Sequence, residues 1–454
     1  MKSAAVILAA GQGIRMRSAL TKVLHPVAGK PMLWHVLQAV GSVTTEKPVV
    51  IVGHGAEDVN RFVGEGAVCV QQQPQLGTAH AVLQARPALK DKAEHIVVVY
   101  GDMPLLRADT LAALVRTAQR DEGSVAMLTV QSDEARGFGR VVRGEDGRIA
   151  AVVEEYVASA AQLGITELNV GAYCFPAAWL WDALDRIPKN ASKGEFYLTD
   201  AVELAVREGL RVHAAQLMDK DEAIGVNTRV HLAEVEGVMR KRINEGHMLA
   251  GVTMADPAST YIDAGVVLGQ DTTIMANTRL AGATVAGENC TLGPNSVIVD
   301  SRIGQRCRVV ASMLEGALLD DDVSVGPFAR LRPGARLMNG VHIGNFGEVK
   351  DSTLGPGVKV GHFSYIGNAT IGAETNIGAG TITCNFDGEK KNTTVIGEHV
   401  FIGSDTMLVA PLTIGNGART GAGSVVTRDV PADTLVVGMP ARAIKKASRR
   451  PKKT

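Results

Sequence analysis

The chain changes its hydrophobic rhythm partway along. Up to about residue 228, short apolar runs alternate with longer amphipathic stretches. Ala4–Leu8, Val49–Val52, Ile96–Tyr100, Val125–Val130 and Val170–Phe175 read as buried strands. Pro31–Val43 and Asp109–Asp121 carry helical patterns between them. Strands alternating with helices predict a parallel α/β sheet, with ligands expected beyond the carboxyl ends of its strands. Across residues 229–250 the spacing turns helical: Leu232, Val235, Val238, Met239 and Ile243 form one apolar stripe. That stripe predicts a connecting helix, and it is also compatible with packing on the first domain.

From about residue 265 an aliphatic residue, often followed by Gly, returns every sixth position. Val325, Leu331, Leu337, Ile343 and Val349 are in phase. After a five-residue step the series continues at Leu354, Val360 and Ile366, then after another at Ile371, Ile377 and Thr383. It resumes at Ile396, Ile402, Leu408, Ile414, Thr420 and Val426. A small residue commonly follows four positions on, as at Ala329, Ala335, Thr381, Thr406, Ala418 and Ser424. A fixed period of six predicts a β-helix whose stacked turns bury one aliphatic column. The rhythm breaks at Asn385–Thr394, an insertion expected to form a loop on one face, often the binding face. The segment Arg442–Thr454 holds seven Lys or Arg and reads as a solubilising end that frays.

Composition narrows the class. A chain of 454 residues is too long for one ordinary core and suits two domains. Lys+Arg and Asp+Glu both number 47, so nothing pulls the chain as a whole toward nucleic acid or a membrane surface. Any anion site must be local. Five scattered cysteines, an odd number without CxxC spacing, predict neither a disulfide framework nor a structural zinc site. No apolar run reaches about 18 residues. The expectation is a soluble protein of a reducing cytoplasm, with no integral membrane contact and no nucleic-acid partner.

The first strand runs into Leu8, Ala9, Ala10, Gly11, Gln12 and Gly13, then Arg15, with Lys22 following. A Gly-rich turn lets backbone N–H groups approach phosphate oxygens, and Arg and Lys add charge. It is not a P-loop, since no GK(S/T) follows, nor GxGxxG, since Met16 stands in place of the third Gly. The whole string resembles the signature of sugar-1-phosphate nucleotidyltransferases. Gln72, Gly77 and Thr78 are similar to that family's uracil-reading segment. Tyr100, Gly101 and Asp102 close a strand, at whose carboxyl edge a carboxylate can meet Mg2+. Gly139, Glu154 and Asn169 match the sugar positions, and Asn227 the second metal ligand. Taken singly, Asp102 could be a turn residue, Asn227 a helix cap and Glu154 a surface acid; their joint order favours the site. The resemblance implies in-line attack of a sugar phosphate on the α-phosphorus of UTP. Arg15 and Lys22 carry phosphate charge in it, and Gln72 reads uracil through its amide. Thr21, Tyr156–Val157 and Val170 depart from the usual pattern.

In the repeats a dense polar set falls within about sixty residues: Arg332, Glu348, Lys350, His362, Tyr365, Asn376, Asn385 and Phe386. Matching turn positions of a solenoid stack, so these can line one groove. Both halves together resemble the bifunctional N-acetylglucosamine-1-phosphate uridyltransferase/glucosamine-1-phosphate acetyltransferase family, over roughly residues 1–437. FARLRPGA, GNFGEVK, NIGAGTITCNFDG and GSDTMLVAP carry that likeness. It implies an α/β Rossmann-like nucleotidyltransferase domain over 1–228, a linker helix over 229–250 and a left-handed parallel β-helix acetyltransferase domain over 251–454. It also implies a homotrimer with acetyl-transfer sites at subunit interfaces. Its substrates are UTP, acetyl-CoA and glucosamine 1-phosphate, and its cofactor is Mg2+. His362 matches the general base, oriented by Glu348. Arg332 and Lys350 match sugar-phosphate ligands, Tyr365, Asn376, Asn385 and Phe386 further sugar contacts, and Ala379, Ser404 and Ala422 acetyl-CoA contacts. Phe386 stands where Tyr is usual. Met439 stands where an Arg for the CoA phosphates is usual, so Arg442 or Lys445–Lys446 is the expected replacement. Two other readings are a single-activity nucleotidyltransferase with a structural β-helix, and a scaffold with a degenerate catalytic domain.

Overall fold

The structure, a computed structural model, describes residues 2–191 and 193–446. Contacts divide it into two compact units, Met1–Met239 and Arg240–Thr454.

The first unit is built on a nine-stranded sheet. Its main path runs Val212–Gln216, Val125–Gln131, Glu167–Pro176, His95–Tyr100, Ser3–Ala9, Val49–Val52, Val68–Gln71. Ser3–Ala9 lies near the middle and is buried throughout. Ala4, Val6 and Leu8 enter one core while Ala5, Ile7 and Ala9 enter another, because successive side chains leave opposite faces of a strand. Helices Met32–Gly41 and Ala108–Ala118 cover one of these faces.

The sheet is mixed, which corrects the expectation of a parallel one. Glu167–Pro176 runs antiparallel to both neighbours. The physical reason lies in the connection. A parallel return needs a crossover that carries the chain back to the other edge of the sheet. After Gln131 the chain instead forms a hairpin, Arg140–Arg143 with Ile149–Val153, and Arg140 pairs with Leu168 at the start of the returning strand. The next strand therefore starts from the carboxyl edge.

The second unit is a left-handed parallel β-helix. Its strands stack into sheets of 12, 10 and 9 members, so each coil gives about one strand to each of three faces. Coils begin at Thr253–Met254 and Tyr261–Ile262, earlier than the visible onset of the six-residue period. The aliphatic column from Val325 through Val426 is buried, including Thr383 and Thr420. Residues four positions on are buried too, and their hydroxyls are satisfied. Thr381, Thr406 and Ser424 each donate to a corner carbonyl (Gly378, Gly403 and Gly421) at 2.7 Å. The final strand, Ala441–Lys446, is antiparallel to Thr434–Gly438. Residues 447–454 of the basic end lie outside the described residues.

The helix expected over 229–250 spans Arg229–Leu249. In the first unit Val235 packs with Met16, Val27, Met32, Leu105, Ile224 and Val226. In the second, buried Asn244 donates to the carbonyls of Pro257 (3.0 Å) and Thr260 (3.2 Å). Among the described residues no helix is long and apolar enough to cross a membrane, and all five cysteines are free.

Candidate active sites

A cavity of about 1010 Å3 opens at the carboxyl edge of the first unit's sheet. Leu8 and Ala9 reach it from strand Ser3–Ala9, and Ala10, Gly11 and Gly13 from the turn beyond. Gly13 takes φ +63°, and a Cβ there would stand 2.8 Å from Lys22 Cβ, so only glycine lets Lys22 fold back under the turn. Arg15 lines the mouth and is exposed. Lys22 points inward. Its Nζ donates to Asp102 Oδ2 and, at 3.3 Å, to Asn227 Oδ1. Residues 80 and 205 positions away thus meet at one ammonium.

These two oxygens define what could replace the ammonium. One carboxylate and one amide oxygen facing a single point suit a hard divalent cation that takes few protein ligands. Among the described residues no group of three or more His, Cys, Asp or Glu gathers, so the donor set does not fit a metal needing a full protein cage.

Gln72, Gly77, Thr78, Tyr100, Gly139, Glu154 and Asn169 also line the cavity; Gly101 does not. Two of these are committed internally, which sharpens their expected roles. Gln72 Nε2 donates to Gly77 O (2.9 Å) and meets His80 Nδ1 (3.1 Å), so the amide offers its oxygen to a ligand rather than both ends. Asn169 Nδ2 donates to Tyr173 Oη (2.7 Å) while its Oδ1 accepts from Gly171 N–H (3.1 Å). A register shift between Asn169 and Tyr173 marks a bulge in that strand. Its Gly171 has φ +89°, and a Cβ there would meet the Tyr100 ring at 2.7 Å.

The segment Glu195–Thr199 also reaches the cavity and was not anticipated. It docks on the turn at Gly77–Ala79: Ala79 N–H donates to Phe196 O (3.0 Å), and Leu198 N–H to Thr78 Oγ1 (2.8 Å). Thr199 Oγ1 donates to Glu154 Oε1 at 3.0 Å. Burial raises the Glu154 carboxyl above its usual range, and the Thr199 bond opposes that. Burial and the carboxylates of Glu154 and Asp102 push the Tyr100 phenol far up. Two acidic side chains, Glu154 and Asp102, thus share the cavity wall with Tyr100. Tyr156, one of the departures, lies in the turn Glu155–Val157, with Lys193 Nζ 5.2 Å from its ring centre.

In the β-helix, one corner carries a line of equivalent positions. Phe363 N–H donates to Asn345 O (3.0 Å), Gly380 N–H to Phe363 O (3.1 Å), Asp405 N–H to Ala379 O (2.6 Å) and Gly423 N–H to Ser404 O (2.8 Å). With the strand registers Asn345↔His362, Lys359↔Asn376, Asn376↔Phe401 and Phe401↔Arg419, Asn345, His362, Ala379, Ser404 and Ala422 succeed one another coil by coil, about 4.8 Å apart. Around the bend, Arg332 Nη1 binds Glu348 Oε1 at 3.0 Å and Lys350 Nζ approaches Asp351 Oδ2 at 3.4 Å. Lys391, from the insertion, lies beside Lys350, whose ammonium holds it below the usual lysine range. Its place could not be read from periodicity, because the insertion is where periodicity stops. A Cβ on Gly367 would stand 2.5 Å from Tyr365 Oη and 2.7 Å from Asn385 Nδ2, so these two also converge. Asn376 stands in the neighbouring sheet, the one that contains Lys359–His362.

One expectation is corrected. Glu348 is not the hydrogen-bond partner of His362. Its carboxylate is held by Arg332, while His362 Nδ1 meets Asn345 Oδ1 at 2.5 Å. The cause is register: Asn345 pairs with His362, whereas Glu348 pairs with Tyr365 in the next sheet. At the far end, Met439 is 77% exposed between the last two strands, and Arg442 is exposed on the final one.

Residues 5–200 match the family described as MobA-like NTP transferase domain, and residues 393–428 match the bacterial transferase hexapeptide (six repeats). The chain is 46% identical over 436 residues to the bifunctional protein GlmU of Heliobacterium modesticaldum, covering 96% of this chain and 95% of that one. It is 43% identical over 445 residues to the GlmU of Streptococcus equi subsp. zooepidemicus, covering 98% and 97%. With the GlmU of Enterococcus faecalis it shares 46% identity over 433 residues, covering 95% and 94%.

Proposed function

The chain belongs to the family of bifunctional GlmU proteins, and we propose that its two reactions divide between the cavity of the first unit and the corner line of the second. The enzyme makes UDP-N-acetylglucosamine, a precursor of peptidoglycan and lipopolysaccharide. Acetyl-CoA first acetylates glucosamine 1-phosphate; UTP then uridylylates the product and pyrophosphate leaves.

In the first unit, the Gly11–Gly13 turn offers backbone donors to the UTP phosphates, and Arg15 and Lys22 supply charge. Gln72 presents its oxygen to the uracil N–H. Glu154, Asn169 and Gly139 hold the sugar, with Thr199 fixing the Glu154 carboxylate. A divalent metal is general to this family; we assign Mg2+, held by Asp102 and Asn227, which when bound neutralises phosphate charge. The sugar phosphate oxygen attacks the α-phosphorus and the bond to pyrophosphate breaks; no protein nucleophile is needed.

In the second unit, His362 takes a proton from the sugar amine as its nitrogen attacks the thioester carbonyl, and CoA thiolate departs. Arg332, Lys350 and Lys391 receive the sugar phosphate, with Tyr365, Asn376, Asn385 and Phe386 around the sugar. Ala379, Ser404 and Ala422 accompany the acetyl-CoA arm, and Arg442 is assigned to its phosphates. The observation that most supports this division is the line itself, on which the base and the three acetyl-CoA positions occupy equivalent corners of successive coils.

We take the enzyme to be a cytoplasmic homotrimer. Free thiols suit a reducing compartment. Phe328, Phe346 and Phe363 stack along the same corner with exposures of 62%, 49% and 62%, an apolar surface suited to coverage by another copy.

Incubating the protein with Mg2+, UTP, acetyl-CoA and glucosamine 1-phosphate should release free CoA and pyrophosphate together. His362→Ala should abolish CoA release, yet still yield pyrophosphate from preformed N-acetylglucosamine 1-phosphate. Equal loss of both activities in that variant contradicts the division.

A further inference from the structure

A histidine base works only if the nitrogen facing the substrate carries a lone pair. The partner of the other nitrogen decides this. In this chain that partner is not the acid its neighbourhood suggests. We propose that Asn345 is the positioning residue of the His362 base: its side-chain oxygen accepts the Nδ1 proton, leaving the Nε2 lone pair for the amine.

Three observations carry the inference, which rests on His362 being the general base. Asn345 Oδ1 lies 2.5 Å from His362 Nδ1. The two residues are register partners in adjacent coils, and Phe363 N–H donates to the Asn345 carbonyl at 3.0 Å. Their backbones are thereby locked, so the side-chain bond costs little extra ordering. The His362 backbone is held a second time at its own carbonyl, which accepts from buried Ser364 Oγ at 2.9 Å.

The surrounding charges leave this role to Asn345. Glu348 accepts from Arg332 in the next sheet. On the two strands His342–Asn345 and Lys359–His362, the other titratable groups are His342 and Lys359, which are register partners. Ser324 Oγ meets His342 Nδ1 at 2.7 Å. Burial, His362 and Lys359 hold the His342 imidazole below its usual range, so it stays neutral beside the base. A neutral amide acceptor fixes the tautomer without adding charge. A carboxylate in its place would stabilise the imidazolium and raise its pKa.

The test uses the full-length enzyme, with acetyl transfer followed by CoA release from pH 5.5 to 9. Asn345→Ala should lower kcat for acetyl transfer roughly 10- to 100-fold, as loss of a ligand-orienting partner does. The KM for acetyl-CoA and the uridyl-transfer rate should not change. Asn345→Asp keeps an acceptor in place: its kcat should recover on the alkaline side, with the acid limb of kcat/KM moved to higher pH. Wild-type kcat in Asn345→Ala, or an unmoved acid limb in Asn345→Asp, overturns the proposal if His362→Asn is inactive. Activity in His362→Asn would instead remove the base assignment and the proposal with it. Should the Ala variant not fold, the acid limb of Asn345→Asp decides alone.

Discussion

Asp200 stands at the start of helix Asp200–Arg207, next to Thr199 of the cavity wall. Burial, then Glu203 and Glu154, push its carboxyl from 3.8 up to about 6. Between about pH 4 and pH 6 the unfolded carboxyl has ionised and the folded one has not. The native state loses stability across that window and the loss is complete above it. Asn does not titrate. Asp200→Asn is therefore expected to stabilise the protein at pH 8 by about 1–2 kcal/mol, less than full burial implies because the group is partly open to solvent and heads a helix. The gain should fade below pH 4. Denaturant unfolding at pH 8 and pH 4 checks this, and equal midpoints at pH 8 count against it. Residues of this kind were only partly legible. Lys22, Asp102 and Asn227 could be singled out because each sits in a recognisable string. Thr199 and Asn345 could not, because each acts on a residue 45 or 17 positions away through a hydrogen bond that only folding creates.

Strand Arg330–Leu331 shows how the β-helix is held. Leu331 is fully buried between Leu314 of the coil below and Val349 of the coil above. Each coil touches only its neighbours, so a hole in the column is not relieved by distant repacking. Leu331→Ala is expected to cost about 2–5 kcal/mol in the β-helix unfolding transition, measured by circular dichroism in denaturant. A loss under about 1 kcal/mol would mean the column relaxes around the gap. Elements of this unit were legible because a period of six repeats the same inward position many times over. The five-residue steps before Leu354 and Ile371 keep both residues in the core. The direction of Glu167–Pro176 was not legible. An apolar run over residues 170–175 marks a buried strand equally well in either direction, and the connection at the sheet edge decides between them.

The molecule holds separate cores, two on the faces of the α/β sheet, a smaller one around Val235 and one along the β-helix column. If the acetylated sugar phosphate leaves one site and reaches the other through solvent, the reactions need not share a chain. A mixture of His362→Ala and Lys22→Ala proteins is then expected to form UDP-N-acetylglucosamine from glucosamine 1-phosphate, although neither does so alone. Lys22→Ala is expected to lower uridyl transfer roughly 100-fold or more, as removal of a preorganised charge does. Failure of the mixture, with each single activity intact, would mean that the intermediate passes only within one assembly. The two architectures and the chemical strings of both candidate sites are already written in the linear order of residues. Those depend on local periodicity and on residues adjacent in the chain. Which atoms meet follows only from the folded chain. It brought Asp102 and Asn227 to one ammonium, turned the Gln72 amide inward, and gave Glu348 to Arg332 and His362 to Asn345. Pairings of that kind follow from strand register and coil length, which set distances between residues that the linear order leaves far apart.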